Sequence, residues 1–307
     1  MKFHRGDNKS TSHLLPNLTE VQLPEDFRWP NETRIAVLIT FDFQAELGTP
    51  VLPTGKPDYM ELTERQYGGR RGVWRILEIL ERNGVKASFM ISGRTAELYP
   101  QATRAIRNAG HDIGGHAYLH ESLWELSRDQ ENEVIRKTKQ VLEDISGAPL
   151  VGWRSPQIRA SENTLTLLLE NGFIWRSDYL NDDLPYLLKV NGKTMVEIPY
   201  TVATDDAQLY MPGSQRRQGG GATVAPGPYG NPRNALWVWQ DEFDVLYEEA
   251  KREPKMFIVT MHPYISGRAN RSKAVEGMLK HIKGYPEVWF ARTIDVAELL
   301  RKQYVNP

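Results

Sequence analysis

The sequence predicts an α/β fold in one domain: a parallel sheet with helices outside it, closed or nearly closed into a barrel. Three observations carry that expectation. Strand-like and helix-like segments alternate about seven or eight times along the 307 residues. Two strand-like segments, Ile35 to Phe41 and Met256 to Met261, are continuous apolar runs of the kind found in strands buried on both faces. Polar clusters follow the ends of the predicted strands, which is where barrels of parallel strands keep their chemistry.

Composition narrows the class. With 40% hydrophobic and 25% charged residues, the chain has ordinary globular composition and enough length for a sizeable core. A formal net charge of -1 gives no electrostatic footprint for nucleic acid or a membrane surface. Cysteine is absent, so disulfides and thiolate metal sites are excluded. Any metal has to sit on histidine, carboxylate, amide or water. No run approaches the ~18 apolar residues of a membrane span. The polar start, Met1-Lys2-Phe3-His4-Arg5, lacks the apolar centre of a secretory signal, so a cytoplasmic protein is expected.

Residues 1–33 are polar and irregular and read as an arm over the surface; residues 34–307 read as the barrel. The strand from Ile35 delivers Asp42-Phe43-Gln44-Ala45-Glu46 and is followed by a loop with Pro50, Pro53, Gly55 and Pro57. Val73, Ile76, Leu77 and Leu80 form one helical stripe, closed by Asn83-Gly84. Ala87 to Ile91 reads as a strand, Thr95 to Ala109 as one helix, and Ala109 to Ile113 as the next strand. Ser127 and Gln130 have the spacing of a capping box for a helix ended by Gly147 and Pro149. Leu150 to Trp153 is a short strand leading into Arg154-Ser155-Pro156. Ser161 opens a helix ended by Asn171-Gly172; Phe173 to Trp175 and Val196 to Pro199 read as strands. Residues 211–234, rich in Gly, Pro and Gln, form a long loop of the kind that is usually functional or an interface. A helix from Ala235 to Lys251, the strand ending at His262-Pro263, a helix from Arg271 to Lys283, a strand from Val288 to Ala291 and a last helix from Thr293 complete the pattern. Trp124, Trp153, Trp237 and Trp239 are expected mostly in the core.

Five polar clusters follow predicted strands: Asp42-Phe43-Gln44, His116 to His120, Arg154-Ser155-Pro156, Ser177-Asp178 through Tyr186, and His262-Pro263-Tyr264. In a parallel barrel these strand ends share one rim, so the clusters would meet in one pocket. His116 and His120 would face the same way if the turn between them were helical, a geometry suited to two ligands on one divalent metal. Asp205-Asp206 reads equally as a substrate-side or a structural pair. His4, His13, His111 and His281 read as surface or packing residues, and Arg268 as structural.

Thr40-Phe41-Asp42, His116-x-x-x-His120, Trp153-Arg154-Ser155-Pro156 and Met261-His262-Pro263 resemble, in order and spacing, the NodB-type polysaccharide deacetylase superfamily over residues 34–300. Tyr67 to Arg75, Asp182-Asp183-Leu184-Pro185-Tyr186 and His262 to Arg268 look most like its intracellular branch, which holds peptidoglycan-deacetylase-like proteins, cyclic imidases and metal-independent allantoinases. The resemblance implies an irregular (β/α)7-type barrel that assembles as a homodimer or homotetramer. It implies that Asp42 is the general base, Arg154 the partner that holds the base ionised, and His262 the acid that protonates the leaving nitrogen. It implies that His116 and His120 are ligands of a divalent metal, zinc by its donor types. Relatives in this branch commonly place a second Asp where this chain has Gln44, a neutral and weaker ligand. Three outcomes stay open: Gln44 ligates through its oxygen, Asp42 or Glu46 supplies the anion, or the site works without metal. Glu46, Trp153, Asp182, Asp183 and Tyr186 are substrate-side candidates.

The expected activity is hydrolysis of a C–N amide bond in a small molecule such as a cyclic imide, ureide or N-acyl compound. N-deacetylation of an acetamido sugar or peptidoglycan is the alternative within the class. A catalytically inactive barrel that binds a ligand is the alternative outside it.

Overall fold

A computed structural model describes residues 18–210 and 231–305. Its ten strands are β1 (Thr19–Val21), β2 (Ile35–Phe43), β3 (Ser88–Ile91), β4 (Asp112–Gly115), β5 (Gly152–Trp153), β6 (Trp175–Arg176), β7 (Tyr186–Val190), β8 (Lys193–Glu197), β9 (Lys255–Met261) and β10 (Val288–Ala291). Seven of them form a parallel arc in the order β9-β2-β3-β4-β5-β6-β8, which is cyclic in chain order. The fold is therefore α/β and barrel-like, with its seam between β8 and β9. Among the described residues no ladder joins those two strands. Side chains bridge the seam instead: Thr204 Oγ1 donates to the Ile258 carbonyl at 2.7 Å, and Trp239 Nε1 donates to the Thr204 carbonyl at 2.9 Å.

The strand β2 lies between the seam strand β9 and β3, and every one of its residues is buried. Its unbroken apolar sequence conceals two faces. Ile35, Val37, Ile39, Phe41 and Phe43 join the large core beneath the helices, whereas Ala36 and Leu38 join a second cluster with Met90, Trp175, Val196, Met256 and Ile258. That second cluster fills the inside of the arc. With the two-residue period of a strand, the inner face of β2 continues as Thr40, Asp42 and Gln44. The inner face of β9 runs in the same way through Met256, Ile258, Thr260 and His262. The interior is apolar at the amino ends of the strands and polar at their carboxyl ends, where the site lies. Trp175 plugs the interior below that level. A Cβ on Gly152 would lie 1.9 Å from its ring and one on Gly114 would lie 2.7 Å from Met90 Sδ, so both positions require glycine.

Several local features differ from expectation. The segment before β2 is stitched to the body: β1 pairs antiparallel with β7, and Phe27 and Trp29 are buried. A helix at Tyr59–Tyr67, capped by Asp58, and a π-helical turn at Gly68–Gly72 precede the expected helix Val73–Asn83. The stretch expected as one helix from Thr95 is two, Gly93–Leu98 and Pro100–Asn108, because Pro100 cannot continue the first. Strand β4 begins later than expected, since Gly110, in a left-handed conformation (φ 81°), closes the preceding helix. A hairpin of β7 and β8 turns at Asn191-Gly192, both at positive φ. Trp153 and Trp239 are core residues, but Trp124 and Trp237 are 39% and 59% exposed. The expected loop 211–234 lies outside the described residues up to 230; Asn231 caps the helix Pro232–Glu249. His4 and His13 also lie outside them. No helix among the described residues is long and apolar enough to cross a membrane.

Candidate active site

Asp42 and Arg154 form the centre. Arg154 Nη1 donates to Asp42 Oδ1 at 2.9 Å, and both side chains are buried. The same nitrogen lies 3.1 Å from Thr40 Oγ1 and 3.2 Å from Thr260 Oγ1, and Nη2 donates to Ser177 Oγ at 3.1 Å. These hydroxyls come from β2, β9 and the residue after β6, so the guanidinium is held from across the barrel interior. Its other neighbour is the Tyr200 ring, at 5.1 Å from the guanidinium carbon. Burial disfavours the Asp42 carboxylate, but the charges of Arg154, His116 and His262 outweigh it and hold the carboxyl below its ordinary range.

His116 and His120 meet with ring centroids 5.0 Å apart, though not on a helix. The chain turns at Ala117 (φ 57°) and His120 (φ 63°), and Glu121 Oε2 accepts the backbone N–H groups of Tyr118 and Leu119. His116 Nδ1 bonds the Arg154 carbonyl at 2.8 Å, so Nδ1 carries the proton and the Nε2 lone pair is left free. That nitrogen lies 4.0 Å from Asp42 Oδ2. Burial lowers the proton affinity of both rings. For His120, the charges of His116 and Arg65 lower it further, well below the ordinary value.

His262 is tuned the other way. Its Nδ1 bonds Asp206 Oδ1 at 2.6 Å, and Asp206 Oδ2 accepts the His262 backbone N–H at 2.8 Å and Ser266 Oγ at 2.5 Å. Asp205 Oδ1 lies 3.8 Å from the same ring nitrogen, while Asp205 Oδ2 accepts the Tyr200 hydroxyl at 2.5 Å. Burial alone would discharge the imidazole; Asp206, then Asp205 and Asp42, overcome it and raise the ring to about 9. Asp206 is thus the residue that sequence reasoning left undecided and the structure pairs with the candidate acid. Thr260 and Tyr200 went unnoticed, and Thr40 stood only as part of the Asp42 motif, because strand runs and a proline-flanked tyrosine carry no local signal of a polar role.

The remaining candidates separate. Gln44 is buried beyond Asp42 and its Oε1 has no hydrogen-bond partner. Glu46 accepts the Tyr99 hydroxyl at 2.9 Å. Trp153 is a core residue packed on Phe173. Asp182 caps the Leu184 backbone N–H, and Asp183 lies 3.6 Å from Lys255 Nζ, at the end of β9 opposite His262. Tyr186 is fully buried on β7 and donates to Asn181. The structure therefore gathers Asp42, Arg154, His116, His120 and His262, while Trp153, Asp182, Asp183 and Tyr186 do other work. Asp178 is spent on Ser155, whose backbone N–H and hydroxyl it accepts at 2.6 and 3.1 Å.

Two places offer donors of metal-ligand type. Asp205, Asp206 and His262 bring three ligand atoms within 4.8 Å of one another, the only such His, Asp or Glu group among the described residues. The short Asp206–His262 bond and the raised imidazole mean that this group holds a proton. The second place has two neutral imidazoles, and Gln44, on the inner face of β2 past Asp42, carries a buried amide oxygen without a partner. Those donors suit a divalent ion in kind, but they bring no negative charge, and Arg154 already claims the Asp42 carboxylate.

A barrel rim bearing an ionised carboxylate, a protonated imidazole and paired neutral histidines fits an acid–base hydrolase. The family model for polysaccharide deacetylases matches residues 31–174. A crystal structure described as a putative polysaccharide deacetylase from Mycobacterium smegmatis is 31% identical, with a TM-score of 0.79 over 92% of this chain and 96% of that one. An allantoinase crystal structure is 27% identical, with a TM-score of 0.78 over 90% and 93% of the two chains. A peptidoglycan deacetylase-like protein of Gibberella zeae is 28% identical over 94% of each chain. The chain belongs to the polysaccharide deacetylase family, whose members hydrolyse C–N amide bonds and generally use a divalent metal.

Proposed function

We propose that this chain hydrolyses a C–N amide bond in a small molecule, a cyclic imide, ureide or N-acyl compound, with Asp42 as general base and His262 as general acid. The observation that carries the reading is the opposed tuning of the two groups. Arg154 keeps Asp42 ionised and able to accept a proton. Asp206 and Asp205 keep His262 protonated and able to donate one. An acid and a base separated in this way operate together at neutral pH.

Asp42 takes a proton from water as that water attacks the amide carbon. The tetrahedral oxyanion gains stabilisation from the cationic groups around it. His262 delivers its proton to the departing nitrogen and is recharged while Asp206 fixes the ring through Nδ1. A divalent cation held by His116 Nε2, His120 and the Gln44 oxygen would supply Lewis-acid polarisation of the carbonyl or water. Asp206, which also holds the backbone N–H of His262, keeps the acid in place between turnovers.

The allantoinase likeness across nearly the whole chain supports the small cyclic substrate. The equally long match to a peptidoglycan deacetylase-like protein supports the second reading, removal of acetyl from an acetamido sugar. The purified protein is tested for release of amine or acid from cyclic imides, ureides, N-acyl amino acids and N-acetylglucosamine oligomers, with and without added Zn²⁺. Turnover of a cyclic imide or ureide, reduced on the order of 10²–10⁴ in Asp42→Asn and His262→Ala, is the expected result. Turnover confined to the acetamido sugars would replace the first reading by the second. Undiminished turnover in both variants would overturn the roles.

A further inference from the structure

We infer that the chain carries an anion-binding site beside the hydrolytic one, formed by Arg70, Arg71 and Arg268 around an open cavity of about 580 Å³ and suited to a phosphate or carboxylate group. Thr63, Tyr67, Gly69 and Tyr99 complete the lining; the Tyr67 hydroxyl accepts from Arg75 and keeps its proton to donate, whereas Thr63 and Tyr99 already donate to the Tyr59 carbonyl and to Glu46. Guanidinium groups in this number match an oxyanion by charge and by their forked donors. Arg268 is paired with Glu64 and lies 3.7 Å from the Tyr67 ring centroid, so it is a fixed wall. Neither Arg70 nor Arg71 has a carboxylate partner among the described residues, and both are exposed. Two guanidiniums are thus available to a ligand. The same cavity holds no carboxylate among its lining residues.

The backbone beneath it is unusual. Gly68–Gly72 forms a π-helical turn, a feature that often marks a functional site. A Cβ on Gly69 would lie 2.5 Å from the Tyr99 ring, so glycine lets that ring close against the backbone as one side of the cavity. On its other side the turn meets the segment that carries His262. A Cβ on Gly72 would lie 2.0 Å from the Pro263 carbonyl oxygen, and one on Gly68 would lie 3.0 Å from the Tyr264 backbone nitrogen. Tyr99 also donates to Glu46, just past the end of β2. An anion in this cavity would therefore rest on a turn wedged between the ends of β2 and β9. None of this depends on the identity of the amide substrate or on hydrolysis itself.

The test is isothermal titration calorimetry of the full chain with inorganic phosphate and, separately, with succinate, at low and at high salt. Wild type is expected to give saturable binding of at least one of the two, and which one identifies the class of anion. Arg70→Gln/Arg71→Gln is expected to weaken it at least tenfold. Arg159→Gln, an exposed arginine that sits over Trp124, is expected to leave it unchanged. No saturable binding of either anion, equal binding by the double variant, or equal loss in Arg159→Gln would each overturn the site. Melting curves of the variants confirm that they fold, and because no turnover is measured, failure here is distinguishable from failure of the hydrolase reading.

Discussion

Replacing Asp206 by asparagine removes one charge and almost no volume, and its consequences are worked from the contacts at His262. A rise of the imidazole from 6.5 to about 9 corresponds to on the order of 3 kcal/mol in favour of the charged ring. Burial opposes that rise, and Asp206 is the largest group favouring it, ahead of Asp205 at 3.8 Å. With Asp206 neutral, the largest group opposing burial is gone and burial outranks Asp205, so the ring should titrate clearly below about 9. The amide is also a poor fit. If its oxygen keeps the bonds to the His262 backbone N–H and Ser266 Oγ, its NH₂ faces Nδ1 and favours the neutral ring. The folded-state value lies above the unfolded one. The stabilisation is therefore complete below about 6.5 and lost as pH rises through about 9 in wild type, and this contribution should shrink in the variant. NMR titration of the imidazole Cε1–H, assigned with His262→Ala, measures the ring directly without a substrate. A ring that still titrates near 9 in Asp206→Asn would falsify the pairing as the source of the acid.

Arg154→Ala leaves Asp42 buried without its cation, which should cost about 3–5 kcal/mol in urea unfolding and raise the carboxyl, moving the acidic limb of activity to higher pH. A loss under 1 kcal/mol would reject the pair as a structural centre. If Gln44 is a ligand with His116 and His120, Gln44→Asp adds the missing anion and should tighten Zn²⁺ at least tenfold by chelator competition; unchanged affinity would remove Gln44 from the ligand set. Gly152→Ala forces a methyl into the Trp175 ring and should destabilise by about 1–3 kcal/mol or more, with a changed near-ultraviolet tryptophan signal. A melting temperature within a degree of wild type would show that the interior yields more easily than the contacts imply.

The sequence by itself determined the winding of the chain and most of the chemistry at its rim. Apolar runs alternating with amphipathic stripes specify parallel strands and covering helices. Asp42, Arg154, the two histidines and His262 were legible because each follows a strand in a recurrent local pattern. The hairpin at Asn191-Gly192 was not read from the sequence despite its turn residues, because its flanking strands are weakly patterned. Only tertiary structure decided the rest. A strand buried on both sides shows no alternation of polarity, so the sequence could not say that Ala36, Leu38, Thr40 and Asp42 face inward while Ile35, Val37 and Ile39 face the helices. Asp205 and Asp206 are equivalent as letters, and which one grips the imidazole depends on how the segment after β8 meets the end of β9. Asp182, Asp183 and Tyr186 stand in a recognisable motif, yet their side chains are turned to Leu184, Lys255 and Asn181. Which groups meet is fixed by packing between segments far apart in the chain, and local spacing carries no record of it.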